Sequence, residues 1–466
     1  MHADDLAFMP ASDLSAAIRA KRVSPVEVVE AVLDRIERLN PRLNAYCTVT
    51  AESARREAQA AEAGVMRGDA LGPLHGVPVS VKDLVITRGV RTTFGSRIYE
   101  NNVPQEDTPL VERLKAAGTI LVGKTTTPEF GWKGVTDSPL LGITRNPWNP
   151  ERTPGGSSGG AGAAVAAGLA PLAVGTDGGG SIRIPGSFSG VFGLKPTYGL
   201  IPVYPASATG TLSHAGPMTR TVRDAALMLQ VMAGSDDRDP LSLPQAGMDC
   251  LAGLDGGIRG LRVAWSPTLG YAVVDPEVRS VTEAAAKRFS DLGCRVEEVY
   301  RVFDDPDPIW APLFYAGIAA RLDDSLAEWR DRMDPGLVQI VEEGRRISAV
   351  QFAKAAFARA TFTEAVRKFF SQYDLLLTPT LAVPPFAAGL EQPPNRPTGS
   401  RLHWVAFTYP FNLTGQPAAT LPCGFTQDGL PIGLQIVGRR LADATLLRAA
   451  AAYEAAAPWV ERRPPL

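Results

Sequence analysis

Fourteen of the chain's 45 glycines fall between Gly155 and Gly199, so about a third of the glycine sits in a tenth of the 466 residues. The stretch opens with Pro154-Gly155-Gly156-Ser157-Ser158-Gly159-Gly160 and continues into small residues, Ala161–Leu169, that read as a helix. An apolar strand, Leu172–Val174, comes next, then Gly175-Thr176-Asp177-Gly178-Gly179-Gly180-Ser181-Ile182-Arg183, and finally Gly193-Leu194-Lys195-Pro196-Thr197. A glycine-rich turn ending at a serine leaves successive backbone N–H groups unshielded by Cβ atoms. Such a concavity binds anions and can stabilise an oxyanion. A tightly packed, glycine-bent sheet accounts for Gly178–Gly180 equally well on these residues alone.

The rest of the chain bounds what that turn can serve. Apolar residues make up 45%, enough for a large core and too much for global disorder. Forty-seven basic against 49 acidic residues leave a formal charge of −2, without the basic excess that nucleic acid or a membrane surface demands. Cys47, Cys250, Cys294 and Cys423 show no paired spacing, so neither a disulfide scaffold nor a zinc module is expected. The first residues, Met1-His2-Ala3-Asp4-Asp5, do not read as a signal peptide. The longest weakly apolar run, near residues 161–175, is shorter than the ~20 residues that span a bilayer. The expectation is a soluble cytoplasmic protein.

Helical periodicity runs through residues 13 to 63, with Ser24-Pro25 placed to cap Val26–Leu39. From His75 to Val85 the period becomes two: Val77, Val79 and Val81 share one face, Ser80 and Lys82 the other. Thr108-Pro109 starts a helix that Gly118 can end, and Ile120-Leu121-Val122 reads as a buried strand. Ser280–Leu292 (helix) and Cys294–Val299 (strand) repeat that logic; Asp374–Leu377 and Ile432–Val437 are further strands, and Asp443 is placed to cap a last helix, Ala444–Ala455. Helices alternating with short apolar strands predict an α/β sheet protein. Residues 240–370 are more helical and polar, and are expected to form an insertion or cover that carries Trp310, Phe314 and Trp329.

Two motifs match in letters and fail in mechanism. Gly118-Thr119-Ile120-Leu121-Val122-Gly123-Lys124-Thr125 fits the phosphate-binding loop pattern, but its middle residues are themselves the strand and no helix start follows. Gly155-x-Ser157-x-Gly159 fits the nucleophile elbow, but Asn149–Pro154 is no strand leading into it. The elbow also needs a later histidine, and His214 and His403 stand in no distinctive context. With only four histidines, a serine nucleophile needs another base. A lysine serves if burial keeps it neutral, its pKa drawn from about 10.4 towards 7–8. Lys82, beside Ser80 among valines, is the candidate, although the ordinary place for a strand lysine is in solvent.

His75-Gly76-Val77-Pro78-Val79-Ser80-Val81-Lys82-Asp83, the Gly-Gly-Ser-Ser-Gly-Gly run and Gly180-Ser181-Ile182-Arg183-Ile184-Pro185 together resemble the amidase signature family. The blocks occur in that family's order, with 75 residues from Lys82 to Ser157 and 24 from Ser157 to Ser181. Similarity covers about residues 10 to 235, then returns at Leu375–Pro379 and from Phe411-Asn412-Leu413-Thr414-Gly415-Gln416-Pro417 to Pro431-Ile432-Gly433-Leu434-Gln435. The resemblance implies one α/β/α domain over residues 1–466, with a mixed sheet flanked by helices and residues 240–370 covering the site. It also implies a Ser–cis-Ser–Lys triad, in which Ser181 is the nucleophile, Ser157, after a cis bond from Gly156, the bridge, and Lys82 the base. The N–H groups of Gly178, Gly179, Gly180 and Ser181 would form the oxyanion hole. Asp177, Arg183 and Ser158 would support it, with contact to an acidic substrate as a second role for Arg183. Phe130-Gly131-Trp132 would border the acyl pocket, unless Trp132 is an ordinary packing residue. The implied reaction is hydrolysis of a small-molecule carboxylic amide, aryl or apolar, with no cofactor and no metal. Carbamate, urethane and ester hydrolysis, and glutamine hydrolysis by the A subunit of a tRNA-dependent amidotransferase, stay open. So does the oligomeric state, a homodimer included.

Overall fold

Ser24 opens the first long helix, Pro25–Leu43, through a capping box: its hydroxyl accepts from Val26 N at 3.0 Å, and Glu27 reaches back to Ser24 N at 3.0 Å. The helix buries Val29, Val32, Leu33, Ile36 and Leu39 in one cluster with Ile120, Val122, Ala163 and Ala164. The computed structural model describes residues 2–244, 249–394 and 400–466, so the part of the 240–370 stretch at 245–248 lies outside the described residues.

Eleven strands make one mixed sheet: β1 (Tyr46–Val49), β2 (Pro78–Lys82), β3 (Ile120–Thr125), β4 (Leu172–Asp177), β5 (Phe192–Lys195), β6 (His214–Thr219), β7 (Arg262–Trp265), β8 (Arg295–Glu298), β9 (Leu375–Pro379), β10 (Ala418–Phe425) and β11 (Pro431–Gly438). Their order across the sheet is β1-β3-β2-β4-β6-β5-β10-β11-β9-β7-β8. Parallel pairs β3–β2–β4 and β9–β7–β8 lie towards the two ends, with antiparallel pairing between them. Helices cover both faces, so the molecule is a single α/β domain. Among the described residues, no helix is long and apolar enough to cross a membrane.

Several expectations change here. β1 lies inside the stretch read as all helix; only four residues long, it pairs antiparallel with β3. Residues 240–370 do more than cover, since β7 and β8 extend the sheet itself. Asp443 is not a cap. It lies in the first turn of the helix Asp443–Ala456, and its carboxylate accepts from Thr197 N at 2.8 Å and Thr197 Oγ1 at 2.5 Å. The phosphate-loop lookalike is a strand, as its apolar centre requires. Lys124 is buried, and its ammonium donates to Val85 O at 2.5 Å, Thr92 Oγ1 at 2.8 Å and Thr87 Oγ1 at 3.2 Å.

Candidate active site

Lys82 ends β2, an interior strand of the sheet whose residues are all buried. Val77, Val79 and Val81 pack with Leu172 and Val174 in the main core, while Lys82 is 0% exposed. The solvated position usual for a strand lysine is therefore closed to it. Its Nζ donates to Ser157 Oγ at 2.7 Å and to Thr176 Oγ1 at 2.9 Å. Burial pulls its pKa well below the ordinary 10.5, against the opposing pull of the Asp177 charge.

Ser157 sits on the glycine-rich segment that precedes the helix Gly159–Ala166. The Gly156–Ser157 peptide is cis. A Cβ on Gly156 would lie 2.5 Å from Val135 O, so only glycine lets the two backbones meet. Ser158 braces this segment: its N–H donates to Ser181 O at 3.1 Å, and its hydroxyl donates to Thr176 O and accepts from Thr176 N, both at 3.2 Å.

The turn after β4 has its carbonyls held one by one. Asp177 O accepts from Asn412 Nδ2 at 2.9 Å, Gly178 O from Trp310 Nε1 at 3.1 Å, and Gly179 O from Thr408 Oγ1 at 2.7 Å. Gly180 O accepts from Ile184 N at 2.7 Å, and Ser181 O from Ser158 N. Of the amides, Gly180 N–H donates to Asp177 Oδ1 at 2.7 Å. Its hydrogen is thus already used, which removes Gly180 from the four donors expected to face an oxyanion. Among the described residues no acceptor takes the N–H of Gly178, Gly179 or Ser181.

Asp177 and Arg183 are both 0% exposed and form a bidentate pair: Nε to Oδ2 at 3.0 Å and Nη2 to Oδ1 at 2.9 Å. Nη2 also donates to Asn412 Oδ1 at 2.7 Å, and Nη1 to Thr408 O and Gln435 Oε1, both at 2.8 Å. All five guanidinium hydrogens are engaged inside the protein, so Arg183 has none for an acidic substrate. Burial pushes the Asp177 carboxyl up, but the charge and hydrogen bonds of Arg183 outweigh it and hold that carboxyl below the usual range.

Ser157 and Ser181 line a cavity of about 260 Å3 together with Gly178 and Gly179. Phe130, Gly131 and Trp132 form part of its wall, and Trp132 is also buried in one apolar cluster with Val135, Ile184 and Phe188. Phe130 stacks beside Phe94 and meets Tyr99 edge-on, with centroids at 6.4 and 6.0 Å. The helix Asp307–Leu322 adds Trp310, Phe314 and Ile318. Among the described residues, no hydrogen bond joins His214 or His403 to Ser157 or Ser181. His214 Nδ1 lies 2.9 Å from Leu212 O, and burial, reinforced by Lys195, lowers the pKa of His214 well below 6.5. Among the described residues, no group of three acidic, histidine or cysteine side chains is arranged to hold a metal.

The sequence reading gave Thr176 and Thr408 no role at the site, and placed Trp310 only on the 240–370 cover. Asn412 and Gln435 lay within the matching segments without a role; the structure sets both against Arg183.

A family model described as Amidase matches residues 27–447, a span that includes residues 240–370. An acylamidase of Rhodococcus erythropolis is 41% identical over 475 positions, covering 100% of this chain and 98% of its own. The A subunit of the glutamyl-tRNA(Gln) amidotransferase of Moorella thermoacetica is 39% identical, with 99% of both chains covered. The crystal structure of a bacterial aryl acylamidase of the amidase signature enzymes superposes with a TM-score of 0.92 at 33% identity, covering 97% of each chain.

Proposed function

The chain belongs to the amidase signature family and is an amidohydrolase acting on C–N bonds; from that premise, we propose that Lys82, Ser157 and Ser181 are its catalytic triad. The observation that carries this reading is the buried Lys82 Nζ, 2.7 Å from Ser157 Oγ and with no carboxylate in ion-pair range among the described residues. A neutral amine there is a base. Lys82 takes the proton of Ser157 as Ser157 takes that of Ser181, and Ser181 Oγ forms a bond to the amide carbon. The carbonyl oxygen becomes an oxyanion facing the free N–H groups of Gly178, Gly179 and Ser181. One such donor is worth about 3 kcal/mol in the transition state. As the C–N bond breaks, the proton returns through Ser157 to the leaving nitrogen, which departs as amine or ammonia. Water then gives a proton to the same relay and attacks the acyl-enzyme, releasing the acid and restoring the Ser181 hydroxyl.

The aromatic walls from Phe130, Trp132, Trp310 and Phe314 support an aryl or apolar amide as substrate. Carbamates and esters pass through the same acyl-enzyme. Four free thiols fit a reducing compartment and support a cytoplasmic location. The second reading, glutamine hydrolysis within an amidotransferase assembly, is favoured by the 39% identity to the Moorella thermoacetica amidotransferase chain. The purified chain alone, assayed on anilides, aliphatic amides, carbamates and glutamine, decides between them. Turnover of anilides without partners is expected; activity on glutamine alone, and only with partner proteins added, overturns the first reading.

A further inference from the structure

We propose that Trp310 is a positioning residue for the reaction: its indole N–H sets the Gly178–Gly179 peptide so that the Gly179 N–H faces the reacting carbonyl. This inference rests on the reading of Ser181 as nucleophile.

A trans peptide is planar, and its C=O and N–H point in opposite directions. Trp310 Nε1 donates to Gly178 O at 3.1 Å, so the Gly179 N–H of the same peptide is turned away from the indole. That N–H is one of the three in the turn without an acceptor among the described residues. A Cβ on Gly179 would lie 2.8 Å from Trp310 Cζ2, so the indole leaves no room for a side chain at 179.

The indole is itself fixed. Trp310 is 5% exposed, stacks on Phe314 with centroids 4.4 Å apart and planes 19° from parallel, and meets Tyr409 at 5.9 Å. The other carbonyls of the turn are held by Asn412, Thr408, Ile184 and Ser158. Trp310 alone comes from the 240–370 stretch, so that stretch reaches the chemistry through this bond. An aromatic wall would change how well substrate binds; a peptide clamp changes how well the oxyanion is held.

The two roles separate by replacing Trp310 with β-(3-benzothienyl)alanine, which keeps the ring shape and puts sulfur where the N–H was. On an anilide substrate the expected result is a kcat about tenfold lower with KM within about twofold, a smaller loss than deleting a donor outright. Affinity for an arylboronic acid, which forms a tetrahedral adduct, should fall by the same factor while that for the planar product acid stays. Trp310→Phe, which also shortens the wall, should lower kcat at least as far, with a thermal melt confirming that it folds. Unchanged kcat in the benzothienyl variant, or a change in KM alone, overturns the proposal. Ser181→Ala run in parallel keeps the premises apart: if it is inactive while the benzothienyl variant turns over normally, only the role of Trp310 is wrong. If Ser181→Ala stays active, the nucleophile is misassigned.

Discussion

Lys82 Nζ and Ser157 Oγ are 2.7 Å apart with both side chains buried, and burial lowers the lysine pKa. On the acid side Lys82 is protonated and cannot accept from Ser157. The rate of acylation should therefore rise with pH and level off once Lys82 is neutral, at a midpoint below the ordinary 10.5. Lys82→Ala should lose about 10²–10⁴ in acylation rate and with it that rising limb. A pH–rate profile of kcat/KM checks both; a profile that falls through this range contradicts the relay.

The same residue ties stability to pH. Its folded pKa lies below its unfolded one, so between the two the unfolded chain binds more protons. Stability should climb as pH rises through the folded value and flatten above about 10.4, the unfolded value. Lys82→Met should remove this share of the slope, read from denaturant melts across pH.

Ser181→Ala should abolish acyl-enzyme formation and leave the fold intact, since the Ser181 hydroxyl has no hydrogen-bond partner among the described residues to lose. Trapping with an activated ester followed by intact mass measurement should show an adduct on the parent chain and none on the variant.

Arg183→Met should destabilise the protein by about 3–5 kcal/mol, because it leaves the Asp177 carboxylate buried without its counter-charge. Arg183→Lys should recover little, as an ammonium has three donors and no planar fork for the five bonds now made. Urea denaturation of the three proteins measures the difference, and near-parent stability of either variant would refute it.

Gly131 has φ 69°, and a Cβ there would lie 2.7 Å from Leu84 Cδ1 and 3.1 Å from Ser157 Oγ. Gly131→Ala should lower kcat by more than its backbone strain of about 1–2 kcal/mol in stability would cause. Gly89→Ala is the control: φ is 72° there and nothing lies within 4 Å of the added carbon. The control should share the stability loss and keep full activity.

Local physics was legible along the chain, and convergence of distant groups was not. Ser24-Pro25 announced its helix, and the apolar centre of Gly118–Thr125 announced a strand, because both depend on neighbours in sequence. Strand alternation placed Lys82 opposite the valines but could not show that this face is also covered. The resemblance to the amidase signature family offered Lys82, Ser157 and Ser181 together as candidates. It could not show that Gly180 N–H is taken by the Asp177 carboxylate, since that depends on a side-chain rotamer. Nor does any local pattern mark Trp310, 132 residues from the carbonyl it holds. Asp443 misled because a helix-start residue and a distant anchor for Thr197 look alike in sequence.

Apart from Asp177, the partners of Arg183 lie 225, 229 and 252 residues further along the chain, at Thr408, Asn412 and Gln435. During synthesis, Lys82, Ser157 and Ser181 all leave the ribosome long before these contacts exist. The turn that carries Ser181 has its full set of braces only once residue 435 has emerged and β11 has joined the sheet. On the proposed triad, a nascent chain that already holds Lys82, Ser157 and Ser181 still lacks the braces of the Ser181 turn, and hydrolytic competence is expected only as a late event of biosynthesis.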